Sequence, residues 1–207
     1  MRLRAWDLTI ERGGRRLIAG LSFEAHEGSA LLVTGPNGAG KTSLLRALAG
    51  FLPIETGGFA LDGGDNECTV GEQAHYLGHA DGVKAALTAG ENLAFAAAML
   101  GGDASLAAQL AALAALGLAH VIDFPARLLS AGQRRRVALA RLLVAKRPLW
   151  LLDEPSTALD AAAQAALAAI MHAHLEGGGI LVAAAHAPLG LDGARELRLG
   201  AIERADA

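Results

Sequence analysis

Residues 35–43 read Gly-Pro-Asn-Gly-Ala-Gly-Lys-Thr-Ser, a match to G-x-x-x-x-G-K-[ST]. Gly35, Gly38 and Gly40, with Pro36, Asn37 and Ala39 between them, let backbone N–H groups turn inward around phosphate oxygens. Lys41 adds a full charge suited to β and γ phosphates, and the hydroxyl of Thr42, followed by Ser43, suits Mg²⁺. A strand-like run at 30–33 precedes the loop and a helical pattern from Lys41 to Leu48 follows it, which is the context that separates such a loop from a chance glycine turn.

Two further segments carry chemistry of a matching kind. Residues 148–156, PLWLLDEPS, form an apolar strand ending in two carboxylates. Asp153 at the strand end is placed to hold Mg²⁺ and Glu154 to polarise an attacking water, a reading that gains its weight from the phosphate loop in the same chain. In residues 128–143, LLSAGQRRRVALARLL, Ser130 is an N-cap candidate with Ala131, Gly132 and Gln133 in the first turn. That start is either a second anion site or an ordinary capped helix with a solvated arginine face.

Residues 75–93, HYLGHADGVKAALTAGENL, pose a different question. His75 and His79 stand four apart with Asp81 close by, a spacing that on a helix would suit zinc. Gly78 and Gly82 disfavour a helix, the lone Cys68 makes a poor fourth ligand, and a surface loop is the preferred reading.

These groups need a frame. Leu21, Phe23 and Ala25 alternate with polar neighbours as in a half-buried strand, after a turn at Gly13 and Gly14. Residues 57–62 alternate again and end in DGGD, a hairpin-like turn. From about 88 to 146 the texture is helical, with Leu106, Leu110 and Leu113 on one face, and this middle third reads as a helical insertion. Strand signals return at 149–152 and 180–185 around a helical stretch at 161–175, so the two ends of the chain together suggest a parallel α/β layer.

The whole chain sets limits on function. Its 207 residues, 53% hydrophobic, suffice for one domain with a buried core. A net charge of −3 argues against a general nucleic-acid binder. One cysteine excludes an intrachain disulfide, and the opening MRLRAWDLTIERGG has no signal-peptide core, which makes the cytoplasm the expected compartment. The apolar stretches are too short to span a bilayer, so a membrane role would run through a partner.

In this order, the loop at 35–42, the LSGGQ-like stretch at 129–133, the acidic strand at 149–154, STALD at 156–160 and His186 resemble the ATP-binding cassette family over nearly the whole chain. The resemblance implies an α/β P-loop NTPase (RecA-like) core with an N-terminal antiparallel β region and an inserted helical subdomain. The core would comprise about 1–78 and 147–207, and the insertion about 79–146, in a single ATP-binding domain. It implies ATP and Mg²⁺, with Thr42 and Asp153 toward the metal, Glu154 and His186 catalytic, and Asp160 in a dimer-contact loop. Ser130, Ala131, Gly132 and Gln133 would meet ATP held by a second copy in a head-to-tail homodimer.

Two departures from the family pattern matter. Its adenine-stacking aromatic is missing from IERGGRR, where Arg12 or Arg16 would substitute through a guanidinium plane. His79 stands where most members carry the glutamine that couples nucleotide to partner. With K…LT…ENL after it, His79 makes the chain similar to the cytochrome c maturation subgroup. The subgroup implies an ATPase at the cytoplasmic face of a bacterial inner membrane, bound to integral membrane subunits and powering haem export or release of a haem-loaded periplasmic chaperone. The competing reading is an exporter subunit for another cargo, a drug or a lipid.

Overall fold

The computed structural model describes residues 1–185 and 189–200. Along the chain run β1 (Arg2–Arg12), β2 (Arg15–His26), β3 (Ala30–Thr34), α1 (Lys41–Leu48), β4 (Thr56–Asp62) and β5 (Ala74–Leu77). They are followed by α2 (Ala89–Leu100), α3 (Leu106–Ala114), α4 (Ala131–Val144), β6 (Leu149–Asp153), α5 (Ala161–Glu176), β7 (Ile180–Ala184) and β8 (Arg195–Arg198). The strands form two sheets, an antiparallel one in the order β2-β1-β4 and a parallel one in the order β5-β6-β7-β3-β8.

Gly13 and Gly14 close the β1–β2 hairpin with φ of 60° and 72°, the double positive φ that a two-residue turn of matching twist requires. The DGGD segment is a turn, but not a hairpin. β4 pairs only with β1, and the next strand, β5, belongs to the other sheet, so the turn hands the chain from one sheet to the other.

Every residue of β6 and β7 is buried, as expected of central parallel strands covered on both faces. One apolar cluster fills the space between the two sheets and α1, with Leu3, Leu8, Ile10 and Phe23 packed beside Leu44, Leu45 and Leu48. A second unites α2, α3 and α4 with the far face of the parallel sheet. The expected leucine stripe on α3 is only partly buried. Leu113 is fully covered, whereas Leu106 and Leu110 are 64% and 37% exposed, because only the end of this short helix reaches the core.

The ENL motif is explained by the entry to α2. Thr88 and Glu91 form a capping box, while buried Asn92 accepts from Lys84 N (2.7 Å) and donates to the carbonyls of Lys84 (3.1 Å) and Thr88 (2.8 Å). Leu93 is completely buried. These three residues lock the loop at 83–88 onto the helix that follows it.

His75 lies inside the molecule on β5, its Nε2 donating to Ala145 O at 2.7 Å and its ring edge-on to Trp150. Trp150 in turn stacks on His174 at 3.9 Å. Burial lowers the His75 pKa from 6.5 to about 4, and burial also lowers that of His174. Between those two pH values an unfolded chain takes up a proton that folded His75 refuses. Its contribution to stability is therefore complete above pH 6.5 and is lost as pH falls toward 4, up to about 3 kcal/mol. Denaturant titrations at pH 7 and pH 4.5 should show this fall, and a His75→Phe chain should show a shallower one.

Candidate nucleotide site

The strands of the second sheet are parallel, so their carboxyl ends share one edge, and the segments leaving β3, β5 and β6 emerge there together. Helix α1 starts on this edge and packs against β6. It differs at its first turn from the other four α-helices of the described residues. Each of those has a side-chain cap from Thr88, Ser105, Ser130 or Asp160, whereas α1 begins at Gly40, with φ of 99° and no side-chain acceptor. Its leading N–H groups are left to an anion, which the helix dipole also favours. Gly40 suits this place on packing grounds too, since a Cβ would stand 3.1 Å from Ile18.

Lys41, 7% exposed, lies beneath the loop and donates through Nζ to Gly35 O (2.8 Å) and Pro36 O (3.1 Å). Thr42 Oγ1 donates to Asp153 Oδ2 at 2.8 Å, across 111 residues of sequence. Asp153 is buried, and Glu154 beside it has φ of 49°, a left-handed backbone held by its N–H donating to Ala184 O at 2.8 Å. An open cleft of about 470 Å³ is lined by Asn37, Gly38, Gly40, Lys41, Thr42, Ser43, Asp153 and Glu154, and by Arg12, Arg15 and Leu17. The phosphate loop and the carboxylate pair are thus one site.

Other expected residues lie elsewhere. His79 is exposed in the loop after β5 and Asp81 pairs with Arg135 at 3.2 Å, so with His75 buried these three do not converge. Ser130 and Gln133 satisfy one another in a capping box on α4, Ala131 is exposed, and Gly132 lies so near the loop at 156–160 that a Cβ would stand 2.9 Å from Ala158 O. Asp160 caps α5, accepting from Ala163 N at 2.8 Å. His186, two residues beyond β7, lies outside the described residues.

Two arginines, Arg15 and Arg135, were missed. Arg15 and Arg12 line the cleft, whereas Arg16 turns away to an exposed pair with Glu11 at 3.3 Å, so Arg15 replaces Arg16 beside the loop. In a hairpin, side chains alternate faces, and pairing Arg12 with Arg15 across the two-glycine turn would have selected this residue. Arg135, expected on a solvated face, is 3% exposed. Its helical partners Ala138, Leu139 and Leu142 at +3, +4 and +7 are buried, but Arg136 has equally apolar partners in Leu139, Ala140 and Leu143, so helical spacing alone does not single Arg135 out.

A phosphate chain fits where α1 leaves its N–H groups uncapped above Lys41, and the class this defines is the P-loop ATPases. The chain belongs to the ABC transporter family, whose profile matches residues 18–157. It is an ABC-type ATPase, binding ATP and hydrolysing it to ADP and phosphate. It is similar along nearly its whole length to proteins called cytochrome c biogenesis ATP-binding export protein CcmA. Identity is 59% over 200 residues to that of Nitrobacter winogradskyi (97% of this chain, 98% of that one). It is 53% over 202 residues to that of Bradyrhizobium diazoefficiens (98% and 100%). Among solved structures, a bacterial Atm1-family ABC exporter with ATP bound superposes with a TM-score of 0.82 at 26% identity, covering 96% of this chain and 36% of that one. An ATP-binding subunit of an ABC transporter does so with a TM-score of 0.79 at 24% identity, covering 90% and 80%, which supports the fold alone.

Proposed function

We propose that this chain is the ATP-hydrolysing subunit of a membrane export complex for cytochrome c biogenesis, held at the cytoplasmic face of the bacterial inner membrane by integral membrane subunits. Haem is its proposed cargo, exported directly or released with a periplasmic chaperone. The observation that carries the ATPase part is the Thr42–Asp153 contact beneath an uncapped helix start. Identity to the CcmA proteins along almost the entire chain supports the cytochrome c part.

The roles follow from the geometry. The N–H groups of 38–43 and Lys41 would grip the phosphates, and Arg12 and Arg15 flank the cleft where the base would lie. Thr42 and Asp153 offer a pair of hard oxygens, a donor set that suits Mg²⁺, and would hold it. Bound there, the ion would neutralise charge on the β and γ phosphates. Glu154 would take a proton from water as the water oxygen bonds to the γ phosphorus and the bond from phosphorus to the bridging oxygen of ADP breaks. His186 would contact the γ phosphate.

Residues 130–133 do not line their own chain's cleft, which supports their serving the ATP of a second copy in a head-to-tail homodimer with Asp160 in the contact loop. The inserted segment 79–146 would carry that surface, and His79 would couple it to the membrane subunits. Among the described residues no helix is long and apolar enough to cross a membrane. A groove of about 370 Å³ beside the loop after β5 exposes Phe51, Phe95 and Met99, and it is where we place the membrane subunits. A pull-down from detergent-solubilised membranes should recover integral membrane subunits with the chain. Recovery of the chain alone would overturn the assignment of partners.

A further inference from the structure

Arg135 is a buried charge with an unusual set of acceptors. From the second turn of α4, Nη2 donates to the carbonyls of Asp153 (3.1 Å) and Glu154 (2.7 Å), while Nη1 donates to Gly78 O (2.9 Å) and to Asp81 Oδ1 (3.2 Å). Its Nε is buried with no hydrogen-bond partner. Burying a guanidinium costs several kcal/mol of desolvation and repays it only through its partners, so a group serving stability alone would be better replaced by an apolar one.

The two acceptors of Nη2 are consecutive peptide carbonyls of the turn that carries Glu154. Glu154 has a left-handed backbone, which for a residue with a Cβ costs about 1–2 kcal/mol and persists only where its surroundings impose it. Its N–H is fixed by Ala184, and its carbonyl by Arg135. The other end of the same planar fork grips residues on either side of His79. One planar guanidinium therefore joins α4, the loop after β5 and the carboxylate turn through four hydrogen bonds.

We infer that Arg135 is a positioning residue for hydrolysis: its N–H donors orient the Asp153–Glu154 turn and tie that orientation to the loop carrying His79. The inference rests on the ATPase reading, with Glu154 as base. What matters is the donors rather than the charge, and two variants separate these. Arg135→Met fills the slot without donors, whereas Arg135→Gln keeps two amide N–H donors.

The experiment measures binding of a fluorescent ATP analogue, kcat and KM on the full-length chain with its membrane subunits. For Arg135→Met, nucleotide affinity should stay within about twofold while kcat falls about tenfold or more, in line with the cost of small misplacements of reacting groups. Arg135→Gln should return kcat to within about threefold of wild type. Unchanged kcat in Arg135→Met, loss of binding in proportion to kcat, or a Gln variant no better than Met would each overturn the inference. If Arg135→Met does not fold, the Gln variant decides alone: kcat near wild type at unchanged KM supports the inference, and a tenfold loss overturns it. Absence of hydrolysis by wild type would overturn the ATPase reading and this inference with it.

Discussion

Replacing Glu154 by glutamine should lower the ATPase rate of this chain by about 10²–10⁴-fold, the range a positioned general base contributes, and should leave nucleotide binding intact. The substitution keeps size while removing the carboxylate's charge and its capacity to accept a proton. The phosphate contacts would come from α1 and Lys41, and the backbone of the turn is held by Ala184 and Arg135 through its N–H and its carbonyl. ATP should then stay bound between two copies, so the dimer should persist with ATP in the mutant and decay in wild type. Size-exclusion chromatography with ATP and Mg²⁺, beside steady-state phosphate release, checks both halves of the expectation. An unchanged rate would remove Glu154 from the role of base.

Lys41→Ala should have the second largest effect, and at an earlier step. The ammonium would supply a charge for the phosphates, and in this structure it holds the loop through Gly35 O and Pro36 O. A hydrogen bond to a charged group contributes about 1.5–3 kcal/mol, so ATP affinity should fall about 10–150-fold. Lys41→Arg should not restore it, because a 7% exposed slot beneath the loop fits an ammonium and not a planar guanidinium. Equilibrium titration with a fluorescent nucleotide separates this loss of binding from the loss of turnover expected at Glu154. Unimpaired binding by Lys41→Ala would show that the helix start alone holds the phosphates.

What the sequence made legible was local in origin. The phosphate loop is built by backbone conformation that Gly35, Gly38 and Gly40 permit, and the all-apolar runs of β6 and β7 are what doubly covered strands demand. What it hid was decided at a distance. Nothing near DGGD indicates that the following strand joins another sheet, and nothing near Leu106 reveals that α3 meets the core only at its end. Arg135 was hidden for the same reason, since its acceptors lie 57 and 54 residues before it and 18 and 19 after it. His75 and His79 looked alike in sequence, yet one became a buried strand residue and the other an exposed loop residue, because side chains on β5 are covered and those beyond it are not.

The carboxylate pair shows how the two kinds of information combine. Residue type and strand context mark Asp153 and Glu154 as candidates, and the contact with Thr42 makes them one site with the phosphate loop. The same contact fixes which edge of the sheet faces the nucleotide. From that edge the loop after β5 leads to the exposed apolar groove, so nucleotide and membrane partner would meet on neighbouring surfaces.

The most direct test of this account is made in the cell. A strain lacking the chain is complemented with wild type or with Glu154→Gln, and haem covalently bound in c-type cytochromes is measured in its membranes. The account predicts loss of that haem in the deletion, recovery with wild type and none with Glu154→Gln. Mature c-type cytochromes in the deletion strain, or full recovery with the Glu154→Gln chain, would contradict it.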